Sequence, residues 1–302
     1  MTADHDPASR LARALASLRG LSVGDALGAQ LSTPGMVGWL RRRELPPGPW
    51  RWTDDTEMAC ALVAVLAARR RVDQDELAAL MAERRDPERD YGSTVTQVLD
   101  AVRAGDDWRT ASARLFKGRG SWGNGAAARV APLGAWYADD PAQAVHQAEI
   151  SAYVTHQHRE AVVGAMAVAA AAALAGDPDG PKTGAELLDG ITALIPRSAV
   201  GQGVRRARDM LDYADSSTVA AVLGSGRRTS AQDTVPYALW AVARSLGDWE
   251  ETVRITARAG GDVDTTCAIA GGVAAARAGG APPADWEADT EPLPGWVPGS
   301  GS

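Results

Sequence analysis

Cysteine is nearly missing from this chain: Cys60 and Cys267 are the only two in 302 residues. Two cysteines this far apart make neither a disulfide framework nor a thiolate metal cluster, and they read as reduced, buried small hydrophobes in a cytoplasmic protein. Phenylalanine occurs once and histidine four times. Basic charge is also scarce. Lys and Arg total 31 against 38 Asp and Glu, a net charge of -7, which leaves no positive footprint for a nucleic-acid partner. The short clusters Arg41-Arg42-Arg43 and Arg69-Arg70-Arg71 read as solvated loop or helix-end charge. The N-terminus lacks the apolar core of a secretory signal. The most apolar stretch, 161–175, is Ala-rich and shorter than the ~20 residues of a membrane span, so an interior helix is expected there. No alternating strand and no glycine-rich turn after a strand is found, which argues against Rossmann and P-loop folds.

What the chain has is alanine, ten tryptophans and helical periodicity from end to end. The pattern predicts an all-α protein with helices over 9–19, 56–70, 75–84, 93–104, 107–115, 124–136 and 141–154 in the first half. In the second half they run over 158–175, 183–194, 198–214, 217–223, 234–246, 248–259 and 265–278. Alanine permits close helix contacts, with scattered Trp as anchors. One compact domain over 1–280 is expected, followed by a Pro/Gly-rich tail over 281–302 that lies on the surface or is disordered. The Pro-, Gly- and Trp-rich segment 33–52 is too long for a simple connector, and such loops are often functional.

Two acidic runs stand out. Trp52-Thr53-Asp54-Asp55-Thr56 is answered about two hundred residues later by Gly260-Gly261-Asp262-Val263-Asp264-Thr265-Thr266. Each closes a Gly- or Pro-rich loop and opens a helix. Taken singly, Thr53, Asp54, Asp262 and Asp264 read equally well as N-caps and first-turn acids. Taken together, four carboxylates that meet in space must be protonated or balanced by cations. Two divalent ions balance four charges, and an all-oxygen donor set of four carboxylates with flanking Thr hydroxyls suits Mg²⁺, Mn²⁺ or Ca²⁺ rather than zinc.

Three further segments carry weaker signals. The small residues of Ser121-Trp122-Gly123-Asn124-Gly125 expose backbone N–H groups, as an anion site does, but also as an ordinary helix-entry loop does. Thr155-His156-Gln157-His158 reads either as a helix cap with one core imidazole, or as a place where His156 hydrogen-bonds a bound phosphate or ribose. Asp25, in Gly24-Asp25-Ala26-Leu27-Gly28, is a charge in apolar company and needs a partner.

In chain order these segments resemble the ADP-ribosylglycohydrolase family. The matching pieces are residues 24–28 (GDALG), 52–58 (WTDDTEM), 123–129 (GNGAAAR) with Pro132-Leu133-Gly134, and Thr155-His156. They continue through 233–240 (DTVPYALW) to 260–271 (GGDVDTTCAIAG). The resemblance spans about 10 to 280 and implies a compact all-α fold with a binuclear Mg²⁺ or Mn²⁺ centre. Thr53, Asp54, Asp55, Asp262, Asp264 and Thr265 would be its ligands. The loop of Ser121, Trp122, Gly123, Asn124 and Gly125 would hold the diphosphate of ADP-ribose, with His156 beside it. The implied reaction is cleavage of the glycosidic bond at ribose C1″, releasing ADP-ribose from an ADP-ribosylated protein or small-molecule acceptor. Asp55 is the expected catalytic carboxylate, taking the proton of the attacking water. A monomer is expected.

The sequence departs from the family at two places. Relatives often carry a Glu shortly after GDALG; here the stretch reads Gln30-Leu31-Ser32-Thr33, with Ser32 in the place of the acid and Glu44 further along the loop. Ala128 stands where a Met usually precedes the Arg. The missing Glu keeps open a non-catalytic ADP-ribose-binding or structural role, which retention of every expected metal ligand opposes. Hydrolysis at the pyrophosphate is the third possibility, though its usual paired His-Asp or Glu-rich helical signatures are absent.

Overall fold

The structure is a computed structural model that describes residues 6–32 and 44–300. Most of the 33–52 loop and the Arg41–Arg43 cluster lie outside the described residues. Within them the chain is helical, and β pairing is confined to two isolated bridges, Trp50 with Thr290 and Gly123 with Ser230. In chain order the helices are α1 (Pro7–Leu31), α2 (Asp54–Arg69), α3 (Gln74–Arg84), α4 (Ser93–Arg103), α5 (Trp108–Ala113), α6 (Gly125–Ala128), α7 (Ala131–Trp136) and α8 (Pro141–Tyr153). There follow α9 (Arg159–Gly176), α10 (Gly184–Leu194), α11 (Ala199–Asp209), α12 (Ser216–Leu223), α13 (Ala231–Arg244), α14 (Trp249–Arg258), α15 (Val263–Ala276) and α16 (Ala284–Asp289). Between α5 and α6, Phe116 (φ 49°) and Lys117 (φ 60°) turn the chain through the left-handed region.

Capping chemistry sets most starts. The side chains of Asp73, Asp107, Asp140, Thr183, Ser198, Asp215 and Asp248 each accept a backbone N–H of the turn they open, as oxygen-bearing N-caps do. The single helix expected over 124–136 is broken into α6 and α7. Pro132 has no N–H to return to Ala128, and its ring would crowd that carbonyl, so a new helix begins with the proline near its N-terminus.

α9 lies at the centre, every residue from Ala161 to Ala173 buried. It is long and apolar enough to cross a membrane, and that surface is met here by α7, α8, α13 and α15. Trp50, Trp136 and Trp240 are fully buried anchors. Trp286 of α16 packs edge-on against Trp50 (6.2 Å) and Trp249 (5.6 Å). The 281–300 segment therefore lies over the surface in a fixed place. Trp50 N–H donates to the Asp289 carbonyl (2.6 Å), Glu291 N–H donates to the Trp50 carbonyl (2.8 Å), and Glu291 forms a two-pronged ion pair with Arg89 (2.6 and 2.8 Å).

α1 runs far beyond the expected 9–19, through Gly20, Gly24 and Gly28, although each glycine costs a helix interior about 1 kcal/mol. The reason is α15, which lies along this face. A Cβ at Gly20 would fall 2.2 Å from Ala275 Cβ, one at Gly24 2.3 Å from the Cys267 carbonyl oxygen, and one at Gly28 2.6 Å from Asp264 Cα. Gly24→Val should therefore lower the unfolding free energy by about 1–3 kcal/mol or more, the cost of overpacking; a urea melt checks it, and an unchanged midpoint would show that the helices can part cheaply.

Candidate active site

The two acidic runs meet. Asp25, wholly buried on α1, reaches the N-terminus of α2 and takes four hydrogen bonds. Thr53 N–H (2.9 Å), Thr53 Oγ1 (2.8 Å), Thr56 N–H (3.1 Å) and Thr56 Oγ1 (2.5 Å) all donate to its carboxylate. It thus supplies acceptors to backbone donors that a helix start leaves unpaired. Thr53 caps α2, accepting weakly from Asp55 N–H (3.4 Å), while Asp54 N–H donates to the Arg89 carbonyl (2.8 Å). From this start Asp54 and Asp55 face a cleft.

The opposite wall is the start of α15. Gly260 and Gly261 take positive φ (64° and 91°), and a Cβ on Gly261 would fall 2.1 Å from the Ser225 carbonyl oxygen. Only glycine allows the turn that delivers Asp262 and Asp264. Asp262 N–H donates to that same carbonyl (2.9 Å), and the Asn124 amide donates to Asp262 Oδ2 (2.6 Å) and Thr234 Oγ1 (3.0 Å).

The cleft, about 300 Å³, is lined by Asp54, Asp55, Asp262, Asp264 and Thr265, by Ser121 through Gly125, and by His156. Every site residue expected from the sequence lines it except Thr53, whose hydroxyl is taken up by Asp25. Larger hollows lie beside α1 and beside α12, but they gather no comparable set of acids. Asn124 looks two ways, lining the cleft while its amide is committed to Asp262. Neither Ser32, whose hydroxyl donates to the Gly28 carbonyl (3.1 Å), nor Glu44 is among the lining residues.

Sequence reasoning missed Phe116, Thr229 and the stretch of Asp90 and Gly92 through Val95, which complete the lining. Phe116 is 43% exposed and sits against Trp122, ring centroids 4.4 Å apart. Trp122 is thus half-buried at the cleft edge and not a core anchor, whereas Trp52 is buried under the Arg89 guanidinium, 3.5 Å above its ring. No signal in the sequence marked Phe116, since its place depends on two non-glycine residues in left-handed backbone.

The electrostatics follow from burial and crowding. Burial, then the Asp264 charge, pushes Asp25 up to about 6 against the pull of the Thr56 hydroxyl and the Thr53 N–H and hydroxyl. Burial and Asp264 push Asp262 up to about 7, tempered by Asn124. Asp54 and Asp55 are raised well above the usual carboxylate range, by burial first; the charges of Asp25, Asp264 and Asp262 then raise Asp54, and those of Asp54, Asp25, Asp264 and Asp262 raise Asp55. Asp55 Oδ2 is buried without a hydrogen-bond partner. Among the described residues no three His, Cys, Asp or Glu side chains already form a closed metal cage; the acids face one another across the cleft. His156 is pushed down to about 3 by burial and by the Arg129 charge.

Comparison with known proteins gives the family. The family model described as ADP-ribosylglycohydrolase matches residues 6–297, and the chain belongs to that family. It is 28% identical to the ADP-ribosylhydrolase ARH3 of Homo sapiens, over 89% of this chain and 86% of that one. It is also 28% identical to the ADP-ribosylarginine hydrolase Tri1 of Pseudomonas putida, over 93% of this chain and 74% of that protein. A solved structure titled ADP-ribosylglycohydrolase-related protein complex matches with a TM-score of 0.68 and 28% identity, covering 93% of both chains.

The raised acids set a pH dependence for the metal-free protein. Asp25 and Asp262 hold their protons in the folded state to about 6 and 7, but an unfolded Asp gives its proton up near 3.9. The folded state binds more protons in that window, so the stability these two contribute is present below about pH 4 and lost as pH rises through 6 and 7. His156, neutral down to about 3 when folded, acts oppositely between about 3 and 6.5. Two carboxylates outweigh one imidazole. Melting temperature in chelator should fall from pH 4.5 to 7.5; a rise with pH would contradict the assigned shifts.

Proposed function

We propose that this protein is a metal-dependent hydrolase that cleaves the glycosidic bond between ADP-ribose and a modified acceptor, releasing ADP-ribose. The observation that carries the reading is the meeting of Asp54 and Asp55 with Asp262, Asp264 and Thr265 across one cleft, bordered by the Ser121–Gly125 loop and His156. Membership of the family and the activities named for ARH3 and Tri1 support it.

The donor set fits two Mg²⁺ or Mn²⁺ ions. It is all oxygen, four carboxylates carry the compensating charge, and Asp55 Oδ2 is a buried acceptor with no protein partner. Asp54, Asp55, Asp262, Asp264 and Thr265 would hold the ions; Thr53 contributes by fixing the start of α2. Bound there, the ions supply Lewis-acid polarisation and charge stabilisation. The protein's own groups do the rest. Asn124 holds the Asp262 carboxylate in place. The Ser121–Gly125 backbone and His156 receive the diphosphate, and the Phe116–Trp122 pair offers a flat apolar edge to the base. Asp55 takes a proton from water as the water oxygen bonds to C1″; the C1″–acceptor bond breaks with its electron pair passing to the acceptor, and Asp55 hands the proton on to that acceptor. With Ser32 where relatives have an acid, slow turnover is expected, since general acid–base assistance is worth about 10²–10⁴-fold.

Calorimetry on chelator-treated protein should find about two Mg²⁺ or Mn²⁺ per chain, as in a two-metal site, with Asp54→Ala and Asp264→Ala each losing at least one while helical content stays intact. Unchanged stoichiometry in both variants removes the metal assignment. Chromatography of ADP-ribosylated acceptors incubated with the protein and Mg²⁺ or Mn²⁺ should reveal ADP-ribose. Tight binding with no release replaces hydrolysis with a non-catalytic role, and AMP plus ribose phosphate moves the cut to the pyrophosphate.

The loop supplies its own test. A Cβ at Gly123 would fall 3.0 Å from His156 Nε2, whereas one at Gly125 has ordinary 3.6 Å contacts. Gly123→Val should weaken ADP-ribose binding more than Gly125→Ala does, with metal stoichiometry unchanged in both. Equal affinities across parent and both variants would take the diphosphate off this loop.

A further inference from the structure

Arg129 is a buried charge that the proposed reaction does not use. Its side chain is wholly buried on the connection between α6 and α7. Nη1 donates to Thr155 Oγ1 at 2.8 Å, and Nη2 donates to the Ser151 carbonyl at 2.7 Å, in the last turn of α8. A guanidinium deep in a core is costly unless its place serves something. Burial lowers Arg129 to about 10, partly offset by Tyr91, Asp55 and Asp54, so it keeps its charge at neutral pH.

Thr155 passes the contact on. Its Oγ1 lies 2.7 Å from His156 Nδ1. A guanidinium only donates, so toward Arg129 the threonine oxygen must accept. The hydroxyl has one proton, and among the described residues the acceptor found for it is Nδ1. Were Nδ1 protonated, two donors would point at one oxygen and the hydroxyl proton would have nowhere to go. Nδ1 therefore accepts, and in a neutral imidazole the ring proton resides on Nε2. That nitrogen lies on the cleft side, against Gly123.

We propose that Arg129 and Thr155 form a positioning relay that locks His156 as the Nε2–H tautomer, so that it presents a hydrogen-bond donor to an anionic oxygen of the ligand in the cleft. This rests on the reading of that ligand as ADP-ribose. The device suits a site crowded with carboxylates. A cationic imidazole would be drawn to the acids, and the opposite tautomer would turn a lone pair toward a phosphate oxygen. A neutral donor held from behind does neither.

Long-range ¹H–¹⁵N NMR of the intact protein reads the tautomer directly, and calorimetry with ADP-ribose and Mg²⁺ reads its consequence. The parent should show His156 as Nε2–H at neutral pH. Thr155→Val keeps the shape, removes the hydroxyl, and should mix the tautomers and weaken ADP-ribose by about tenfold, near the loss of one hydrogen bond to a charged group. Thr155→Ser should restore the Nε2–H signal. Arg129→Lys keeps the charge without the fork and should also blur the tautomer; it decides the matter if Thr155→Val does not fold. An Nδ1–H signal in the parent, or an unchanged tautomer in both Thr155→Val and Arg129→Lys, overturns the relay. An Nε2–H parent that responds to the variants as expected but binds no ADP-ribose upholds the relay and fails the substrate reading instead.

Discussion

The backbone-to-backbone contact of α1 with α15 is the constraint on which the rest depends. Gly20, Gly24 and Gly28 let the two helices approach until a single added Cβ would collide with the opposite chain. Only at that distance can Asp25 on α1 stand next to Asp264 on α15 and still reach the first turn of α2. The contact thus does more than fill the core. It sets the spacing of the cleft, because one helix carries the anchor for the first acidic run and the other carries the second run itself. The propensity lost at three helical glycines is a few kcal/mol in all, offset by close packing along the interface.

Asp25 shows how charge is distributed around the cleft. It accepts four hydrogen bonds and lines no part of the cavity, so its carboxylate is structural in its contacts and electrostatic in its reach. Arg129, also buried, contributes the compensating sign without touching an acid. Between them the acids on the walls are crowded, desolvated and raised, with one oxygen of Asp55 left unpaired. Such a site is poorly suited to standing with every acid ionised, and the hard cations proposed above would relieve that crowding.

The acidic runs were legible in the sequence because the chemistry there is local. Consecutive carboxylates beside threonine, or after Gly-Gly, mark helix starts that also expose oxygen donors. The helices were legible for the same reason, since caps and apolar period lie within a few residues. What escaped was non-local. The continuation of α1 through its glycines makes sense only once α15 lies against it. Phe116 joins the cleft through a left-handed turn no residue type announces. Asn124 reads as a loop residue until Asp262, from the far end of the chain, comes within reach of its amide. The segment after Gly279 has the composition of a tail, yet Trp286 and Glu291 find partners in Trp50 and Arg89; composition reports what a stretch can bury alone, not what another stretch offers it.

The link between Arg89 and Glu291, 202 residues apart, bears on how this molecule comes into being. Arg89 gives its carbonyl to Asp54, its guanidinium plane to Trp52 and its charge to Glu291, while α1 waits equally long for α15. Helical proteins tend to fold fast because their contacts are local. Here the decisive contacts join opposite ends of the chain. During synthesis the first acidic run emerges long before either of its distant supports, and Asp25 cannot be buried at its proper depth until α15 arrives. A growing chain carries the first acidic run before residues 263–291 exist to support it, so the cleft takes its form only once α15 and Glu291 are in place.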